Sequence, residues 1–472
     1  MITVSTTRPR YMTQADHMSW RMEEDPILRS TIVAVALLDR SPDWQRFVDM
    51  MDRGTRRVPI FRQRVVTDAV GPAPPRWVND PEFDLSWHLR RLAVPEGGGW
   101  SDVLDFARTA AMAAFDKERP LWEFTVLSGL DSGQAAIVMK VHHALTDGIG
   151  GMQIVNEIVD FSREGTVRDD PPAAPASTDS ESTSPIGGLA WYQETAGRLT
   201  WQAATTLVRR TPQLVLNPLA ALRSAVSTLG STIRFTRPVV TTNSPVMTKR
   251  STRRRLAVLD VPIKALGHAA SAGGGSINDA FLASILLGTA RYHRLHDVDV
   301  ARLRVTMPIS LRTEGDPLGG NRVTLARFEL PADISDPAEL VRSIHGTVDT
   351  WRHEPAAAIT PTIAGALNML PSAVLGSMFK HVDFLASDVV GSPIPLFIAG
   401  SEVLGYYAFG PTLGSAFNVT LISFMSRCCI GINVDAESVP DIDLLAESLA
   451  RGFRDVLALC PDADDVGVVV TT

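Results

Sequence analysis

The sequence VMKVHHALTDGIGG, residues 138–151, decides the fold around it. Its apolar start belongs to AAIVMKV (135–141), a run that is typical of a buried strand. Asp-Gly then favours a tight turn, and GGMQIVNEIVDF (150–161) places apolar residues at helical spacing. The stretch therefore predicts a strand, a turn and a helix, with His142 and His143 at the end of the strand.

The histidines and the turn together indicate acid–base chemistry. Near pH 7 a neutral imidazole is the natural group to take a proton from an alcohol, and we expect His143 to do so. Asp147 is predicted to hold the loop by pairing with an arginine or with backbone N–H groups. Gly148 is predicted to allow a backbone angle that other residues resist.

The same stretch argues against two other kinds of site. No GxSxG motif occurs and no cysteine lies nearby in the sequence, so a direct, base-assisted transfer is favoured over a covalent intermediate. A zinc site would need a further ligand at a defined spacing. The sequence offers none, and no metal is predicted.

The whole chain has the size and composition of a two-lobed globular protein. It has 472 residues, of which 45% are hydrophobic and 21% charged. The three cysteines form neither a disulfide framework nor a CxxC pair, which suits reduced thiols in the cytosol. We see no signal peptide and no apolar run long enough to span a membrane.

Charge is distributed unevenly along the chain. Residues 187–255 contain eleven arginines or lysines and one acid, so this segment carries +10. The net charge of the chain is −7, which leaves −17 for the rest. The contrast predicts an anionic partner for the basic segment alone.

The order of the predicted elements divides the chain into three parts. Strands and helices mix over 1–162, which we predict to be one α/β lobe. The part from 163 to 250 is predicted to be an acidic, Pro- and Ser-rich linker (163–188), followed by amphipathic helices. A second α/β lobe, 251–472, is predicted to begin with the strand LAVLDVP. In it, SINDAFLA predicts a helix with Ser276 as N-cap and Asp279 as the acid of a capping box.

At this point a family resemblance becomes specific. HHALTDG resembles the HHxxxDG signature of the bacterial wax ester synthase/diacylglycerol acyltransferases. ERPLWEFTVLSGL (118–130), SINDAFLA, PISLR and GGNRVTLARFELP match further blocks in order and spacing, as does an early block with Phe83, Asp84 and His88. DVVGSPIPLFIAG resembles the late block, although Val390 and Ser392 stand where prolines are usual. The resemblance covers almost the whole chain outside 163–250.

The resemblance implies a fold and a reaction. The fold would be α/β (α+β), with two lobes like chloramphenicol acetyltransferase and a channel between them. The reaction would be acyl transfer from acyl-CoA to diacylglycerol or a long-chain alcohol, with no cofactor besides acyl-CoA as substrate. His143 would be the general base, and His142 would shape the loop. Asp147 would hold the loop, with Arg312 as its expected partner.

Two further motifs are assigned by the same resemblance. Pro120, Leu121 and Trp122 form the PLW motif, for which packing of the lobe and channel is favoured over chemistry. Asn278 and Asp279 form the Asn-Asp motif at a helix start. Two roles stay open for Asn278. It would donate a hydrogen bond to an oxyanion or support the channel wall, or it would take part in capping the helix.

Several alternatives stay open at this stage. Another acyltransferase would use a sugar or polyketide alcohol as acceptor, or a carrier-protein thioester as donor. A non-catalytic protein would coat lipid surfaces through its basic segment. We expect the segment 187–255 to dock on the inner membrane or a lipid droplet from the cytoplasm, but its arginines could bind CoA phosphates instead. No nucleic-acid partner is expected, and a homodimer is left open.

Overall fold

The structure is a computed structural model that describes residues 11–67, 73–169, 241–310, 323–352, 379–460 and 467–471, together with residues 368 and 376. The N-terminal part alternates strands and helices. Its helices are α1 (Gln14–Met22), α2 (Trp44–Arg57), α3 (Leu85–His88), α4 (Trp100–Met112) and α5 (Gly148–Ile158). Its strands are β1 (Thr31–Leu38), β2 (Gln63–Val66), β3 (Arg76–Asn79), β4 (Leu89–Ala93), β5 (Trp122–Ser128) and β6 (Ala135–His142).

The C-terminal part has the same mixed character. Its helices are α6 (Ile263–Ala272), α7 (Ile277–Arg294), α8 (Pro337–Arg352) and α9 (Ile442–Leu457). Its strands are β7 (Arg254–Pro262), β8 (Arg302–Ser310), β9 (Val323–Pro331), β10 (Phe384–Val389), β11 (Phe397–Ile398), β12 (Ser401–Phe409), β13 (Phe417–Phe424), β14 (Arg427–Asp435) and β15 (Val469–Thr471).

Two large sheets organise these elements. One has six strands in the order β11-β12-β1-β6-β5-β4, and the other has seven in the order β15-β7-β14-β13-β10-β8-β9. Helices α7 and α9 cover the seven-stranded sheet, with Phe281 and Phe453 fully buried between them. Phe47 and Trp122 are buried in the second core, beside the six-stranded sheet. The α/β fold with two lobes is therefore confirmed.

One crossing joins the two parts of the sequence. Strands β11 and β12 come from the C-terminal part but complete the six-stranded sheet, where Val33 of β1 pairs with Phe409 of β12. The hydrophobic periodicity of the sequence does not show that strands from one part join the sheet of the other. Strands that pair over so long a separation leave no local pattern. The predicted boundary near residue 250 therefore does not separate the two sheets.

The predicted strand–turn–helix unit is present. β6 lies between β1 and β5, antiparallel to both, and its last residue, His142, pairs with Thr31. α5 begins at Gly148, directly after the turn. The helix predicted from SINDAFLA is α7, and Ser276 and Asp279 form its capping box.

Some predictions concern residues that the structure does not describe. The linker prediction reaches described residues only as far as Asp169, and the helices predicted over 189–235 lie outside them, as does Arg312. Among the described residues, none of the helices is both long and apolar enough to cross a membrane.

Candidate active site

A cavity of about 210 Å³ lies where the two sheets meet. Ala34 and Met139 line it from the six-stranded sheet, and Val389 and Ile422 line it from the seven-stranded sheet. Most of its walls are aliphatic, sulfur-containing or aromatic side chains. The polar members are few, and they are His143, Thr146, Asp147, Ser387, Tyr406, Asn418 and Thr420. Such a cavity suits an aliphatic ligand with a few oriented polar groups.

His143 lies on the wall of this cavity, one residue beyond the end of β6. Its backbone N–H donates to the carbonyl of Ser30, at 2.8 Å. Its side chain is half-buried. The fold therefore presents this imidazole to the cavity from a hydrogen-bonded strand end rather than from a long loop.

His142 points into the protein instead. Its side chain is completely buried, and its Nδ1 accepts a hydrogen bond from the N–H of Ala144, at 3.0 Å. Nδ1 is thus the acceptor, so the ring proton is on Nε2, which lies 3.4 Å from a carboxylate oxygen of Glu23. The expectation that His142 shapes the loop agrees with this position.

Glu23 is the buried acid behind the double histidine. Burial alone would raise the pKa of its carboxyl, but several contacts outweigh this and lower the pKa. They are the Nε2–H of His142 at 3.4 Å, the N–H of Ser30 at 3.2 Å, and the guanidinium of Arg29 at 3.7 Å. Sequence analysis missed Glu23 because it lies far from the motif along the chain.

Asp147 caps the helix that follows the turn. It is the N-cap of α5, and its carboxylate accepts a hydrogen bond from the N–H of Gly150, at 2.7 Å. The side chain is almost fully buried. Pairing with a backbone N–H was one of the two ways in which Asp147 was predicted to hold the loop. Its other predicted partner, Arg312, is not among the described residues.

The reason predicted for Gly148 is wrong. Its backbone is not in the left-handed region that favours glycine. A Cβ at this position would instead lie 2.7 Å from Cγ2 of Val389, on the neighbouring sheet. Gly148 is required because α5 begins in close contact with β10, and there is no room for a side chain.

The PLW residues pack beneath the site. Pro120, Leu121 and Trp122 are buried, and none is among the described residues that line the cavity. The indole N–H of Trp122 donates to the carbonyl of Phe61 at 2.8 Å, and its ring stacks on His88 at 4.4 Å. The carbonyl of Leu121 accepts from the N–H of His142, at 3.0 Å. These contacts agree with the predicted packing role.

Asn278 and Asp279 lie at the start of α7 and are not among the described residues around the cavity. Asp279 closes the capping box and also lies 2.8 Å from Nδ1 of His345. The amide nitrogen of Asn278 is buried and has no hydrogen-bond partner among the described residues. A substrate contact for either residue stays a prediction.

The C-terminal part supplies polar cavity residues that the sequence analysis did not single out. The amide of Asn418 donates to the carbonyl of Pro411, and the hydroxyl of Thr420 donates to Asn418. Burial raises the pKa of Tyr406 to about 12, so its phenol stays protonated. The segments YYAFGP and FNVTLISF contain these residues, but their alternating pattern indicates only strands.

Part of the basic segment has a structural role. The guanidinium of Arg250 donates to the carbonyls of Met247 and Val382, at 2.7 and 2.9 Å. Arg254 is buried against Asp435, at 3.3 Å. Lys249, Arg253 and Arg255 are exposed. The anionic partner predicted for the segment 187–255 is therefore wrong for Arg250 and Arg254, which bind groups within the C-terminal part instead.

No group of three or more His, Cys, Asp and Glu side chains that could hold a metal ion is found within the described part of the chain. The three cysteines are buried and free.

Comparison with known proteins then assigns the family. The profile of the wax ester synthase/diacylglycerol acyltransferase catalytic domain matches residues 12–281, and that of the WS/DGAT C-terminal domain matches residues 319–456. The chain belongs to this family. Like the family, it is an acyltransferase. The two matches together leave out residues 1–11, 282–318, which include Arg312, and 457–472.

Relatives and solved structures agree with the assignment. A Mycobacterium tuberculosis protein that carries the provisional name diacylglycerol O-acyltransferase is 35% identical over 449 residues, which are 94% of this chain and 91% of the relative. The wax ester synthase/diacylglycerol acyltransferase of Marinobacter aquaeolei VT8 superposes with a TM-score of 0.61 at 20% identity, over 94% and 98% of the two chains. The first condensation domain of the calcium-dependent antibiotic synthetase gives 0.60 at 16% identity, over 97% and 98%. Both structures share the fold.

Proposed function

We propose that this acyltransferase moves a fatty acyl group from acyl-CoA to the hydroxyl of diacylglycerol, and also to long-chain alcohols. One observation carries the proposal: His143 lies at a rigid strand end on the wall of an otherwise apolar cavity. The family description names wax ester synthesis and acyl transfer to diacylglycerol, and the relative from M. tuberculosis is named for the second of these. An acyl-CoA donor is consistent with this family.

The cavity walls favour a lipid over a sugar as acceptor. Met50, Met51 and Met152 line one part, and Leu325, Leu385 and Val403 line another. Methionine side chains adapt to irregular aliphatic ligands. A sugar would need polar partners for several hydroxyl groups, because a buried polar group without a partner is costly. This lining supports acyl chains as the natural occupants.

In the proposed mechanism His143 acts as general base without a covalent intermediate. Its imidazole takes the proton of the acceptor hydroxyl while the oxygen attacks the thioester carbonyl carbon. The resulting tetrahedral intermediate collapses, the C–S bond breaks, and an ester forms. The proton on His143 then passes to the departing CoA thiolate, so the imidazole returns to its starting state.

Contacts on both sides of His143 support this role. The N–H of His143 is held by Ser30, and the turn after it is closed by Asp147. His142 is held from behind by Glu23. A base that is fixed in this way loses little freedom when the substrates bind.

Binding to a lipid surface is part of the proposal, since a diacylglycerol acceptor resides in one. Peripheral association with an inner membrane or a lipid droplet, on the cytoplasmic side, fits these substrates. The exposed Lys249, Arg253 and Arg255 could attract anionic headgroups or CoA phosphates. Whether the protein forms a homodimer is left open.

The test is a direct assay of the purified protein. It is incubated with radiolabelled palmitoyl-CoA and either diacylglycerol or hexadecanol, and the products are separated by thin-layer chromatography. We expect labelled triacylglycerol and wax ester. Transfer to a sugar or polyketide alcohol, with neither lipid accepted, would overturn the assignment of the acceptor. Labelled product from a carrier-protein thioester, and none from palmitoyl-CoA, would overturn the assignment of the donor.

A further inference from the structure

Four exposed apolar side chains lie close in sequence to residues of the cavity wall. They are Ile149, Val390, Ile394 and Met425, with exposed fractions of 36%, 77%, 48% and 44%. We call this set the rim patch. Each member is within three residues of a residue that lines the cavity: Gly148, Val389, Leu396 and Ile422, respectively. Each exposed member is thus joined to the apolar wall of the cavity by no more than three residues of backbone.

Backbone contacts bring the members of the patch together. The N–H of Met425 donates to the carbonyl of Ser392, at 2.8 Å, and the N–H of Gly391 donates to the hydroxyl of Ser423, at 3.0 Å. The loop with Val390 and Ile394 thus packs on the turn with Met425. The start of α5 joins them, because Gly148 lies directly against Val389.

Met425 is an unusual residue for its position. It lies in the turn between β13 and β14 with a φ of 53°, a left-handed conformation that asparagine or glycine adopts more easily. A methionine here costs backbone strain and exposes a flexible apolar side chain. Folding alone does not favour this choice, whereas contact with an apolar partner outside the protein does.

The patch also lacks charge. The segment 389–396, VVGSPIPL, has no acidic or basic residue. The nearest charged residues in the sequence are Asp147, Asp388 and Arg427, each two residues from a member of the patch. Pressing this surface into the boundary of a lipid layer would bury apolar side chains without desolvating a charge within the loop.

We propose that the rim patch docks the protein on a lipid surface, and that the acceptor passes from this surface directly into the cavity. The inference rests on the proposed function, because it requires a lipid acceptor. The expected partner is a lipid surface without net charge, such as phosphatidylcholine with diacylglycerol. Binding through the patch should therefore resist salt, unlike binding through the exposed basic residues near Arg253.

The experiment uses the full-length protein and vesicles of phosphatidylcholine with dioleoylglycerol. The test variant is Val390→Asn/Ile394→Asn/Met425→Asn, and Val390→Asn alone serves as a milder variant. The control is Leu92→Asn/Leu295→Asn, because these side chains are similarly exposed, at 44% and 50%, and belong to other elements. Flotation measures vesicle binding. Acyl transfer from palmitoyl-CoA is measured with vesicle-borne dioleoylglycerol and with dissolved hexanol.

We expect the triple variant to bind vesicles at least about tenfold more weakly at every salt concentration. Transfer to dioleoylglycerol should fall in parallel, while transfer to hexanol and the melting temperature stay unchanged. The control should match wild type in every measurement. The single variant should lie between the two.

Other results would overturn the inference. Wild-type protein that does not float, or triple-variant protein that floats and uses vesicle-borne acceptor as wild type does, would remove the docking role. Salt-sensitive binding that needs anionic lipid would assign docking to the basic residues. A change from dimer to monomer in the triple variant, without loss of flotation, would assign the patch to self-association. Wild-type protein that floats but transfers to neither acceptor would instead contradict the proposed function.

Discussion

The carboxylate of Glu23 lies 3.4 Å from Nε2 of His142, and both side chains are almost completely shielded from solvent. The other ring nitrogen of His142 is held by the N–H of Ala144. The first histidine of the motif therefore anchors the loop to α1, so that the second can face the cavity. Glu23 contacts His142 and is not among the described residues that line the cavity.

Glu23→Ala should destabilise the protein by about 2 kcal/mol, because the buried N–H groups of His142 and Ser30 lose their acceptor. The measurement is the free energy of unfolding in urea. The matched control is Glu24→Ala, at the neighbouring exposed acid, which should change stability by less than about 0.5 kcal/mol. Equal effects at the two positions would show that the buried pair contributes nothing.

The Glu23 pair should also make stability depend on pH. The contacts of Glu23 lower its pKa in the folded protein, despite burial. The contribution of Glu23 to the free energy of unfolding is therefore complete above the unfolded-state pKa of glutamate, about 4.3. It is lost as pH falls through the lower folded-state pKa. The stability difference between wild type and Glu23→Gln should shrink as pH drops below about 4. A difference that grows on acidification would contradict the direction of the shift.

Gly148→Ala should cost about 1–3 kcal/mol of stability, because the new methyl group would overlap Val389. The cost should fall when the same change is made in a Val389→Ala background. Gly151→Ala serves as the stability control, since its Cβ would meet only Thr146, at an ordinary 3.7 Å. A full cost that persists without the valine side chain would point to a backbone cause instead of the contact.

Asp147→Ala should lower stability by about 1 kcal/mol through loss of the N-cap of α5. Asp147→Asn should retain most of the cap, because asparagine is an equally good N-cap residue. Thermal and urea unfolding of the two variants separate these effects. If asparagine costs as much as alanine, the negative charge of Asp147 stabilises the loop, and the cap is secondary.

Local pattern was enough to predict the unit around His143. An apolar strand, a turn closed by Asp147 and Gly148, and a helical repeat follow one another within 138–151 and the residues next to it, and each is defined by its neighbours in sequence. The capping box of Ser276 and Asp279 was predictable for the same reason. What these elements share is that the residue pattern of each is complete within a short stretch of sequence.

Long-range contacts were not predictable in this way. The Glu23–His142 pair, the approach of Gly148 to Val389, and the pairing of β12 with β1 each join residues far apart in the chain. The charge of the basic segment gave a wrong prediction for Arg250 and Arg254. A count of charges does not distinguish a guanidinium that binds internal groups from one that faces solvent. The role predicted for Arg312 stays a prediction.

The central claim is that His143 removes the proton of the acceptor hydroxyl. The most direct test is the single-turnover rate of acyl transfer from palmitoyl-CoA to diacylglycerol by His143→Ala. We predict a rate lower by about 10²–10⁴-fold, with an unchanged melting temperature, because only the proton acceptor is lost. A folded His143→Ala variant that transfers the acyl group at close to the wild-type rate would contradict the account.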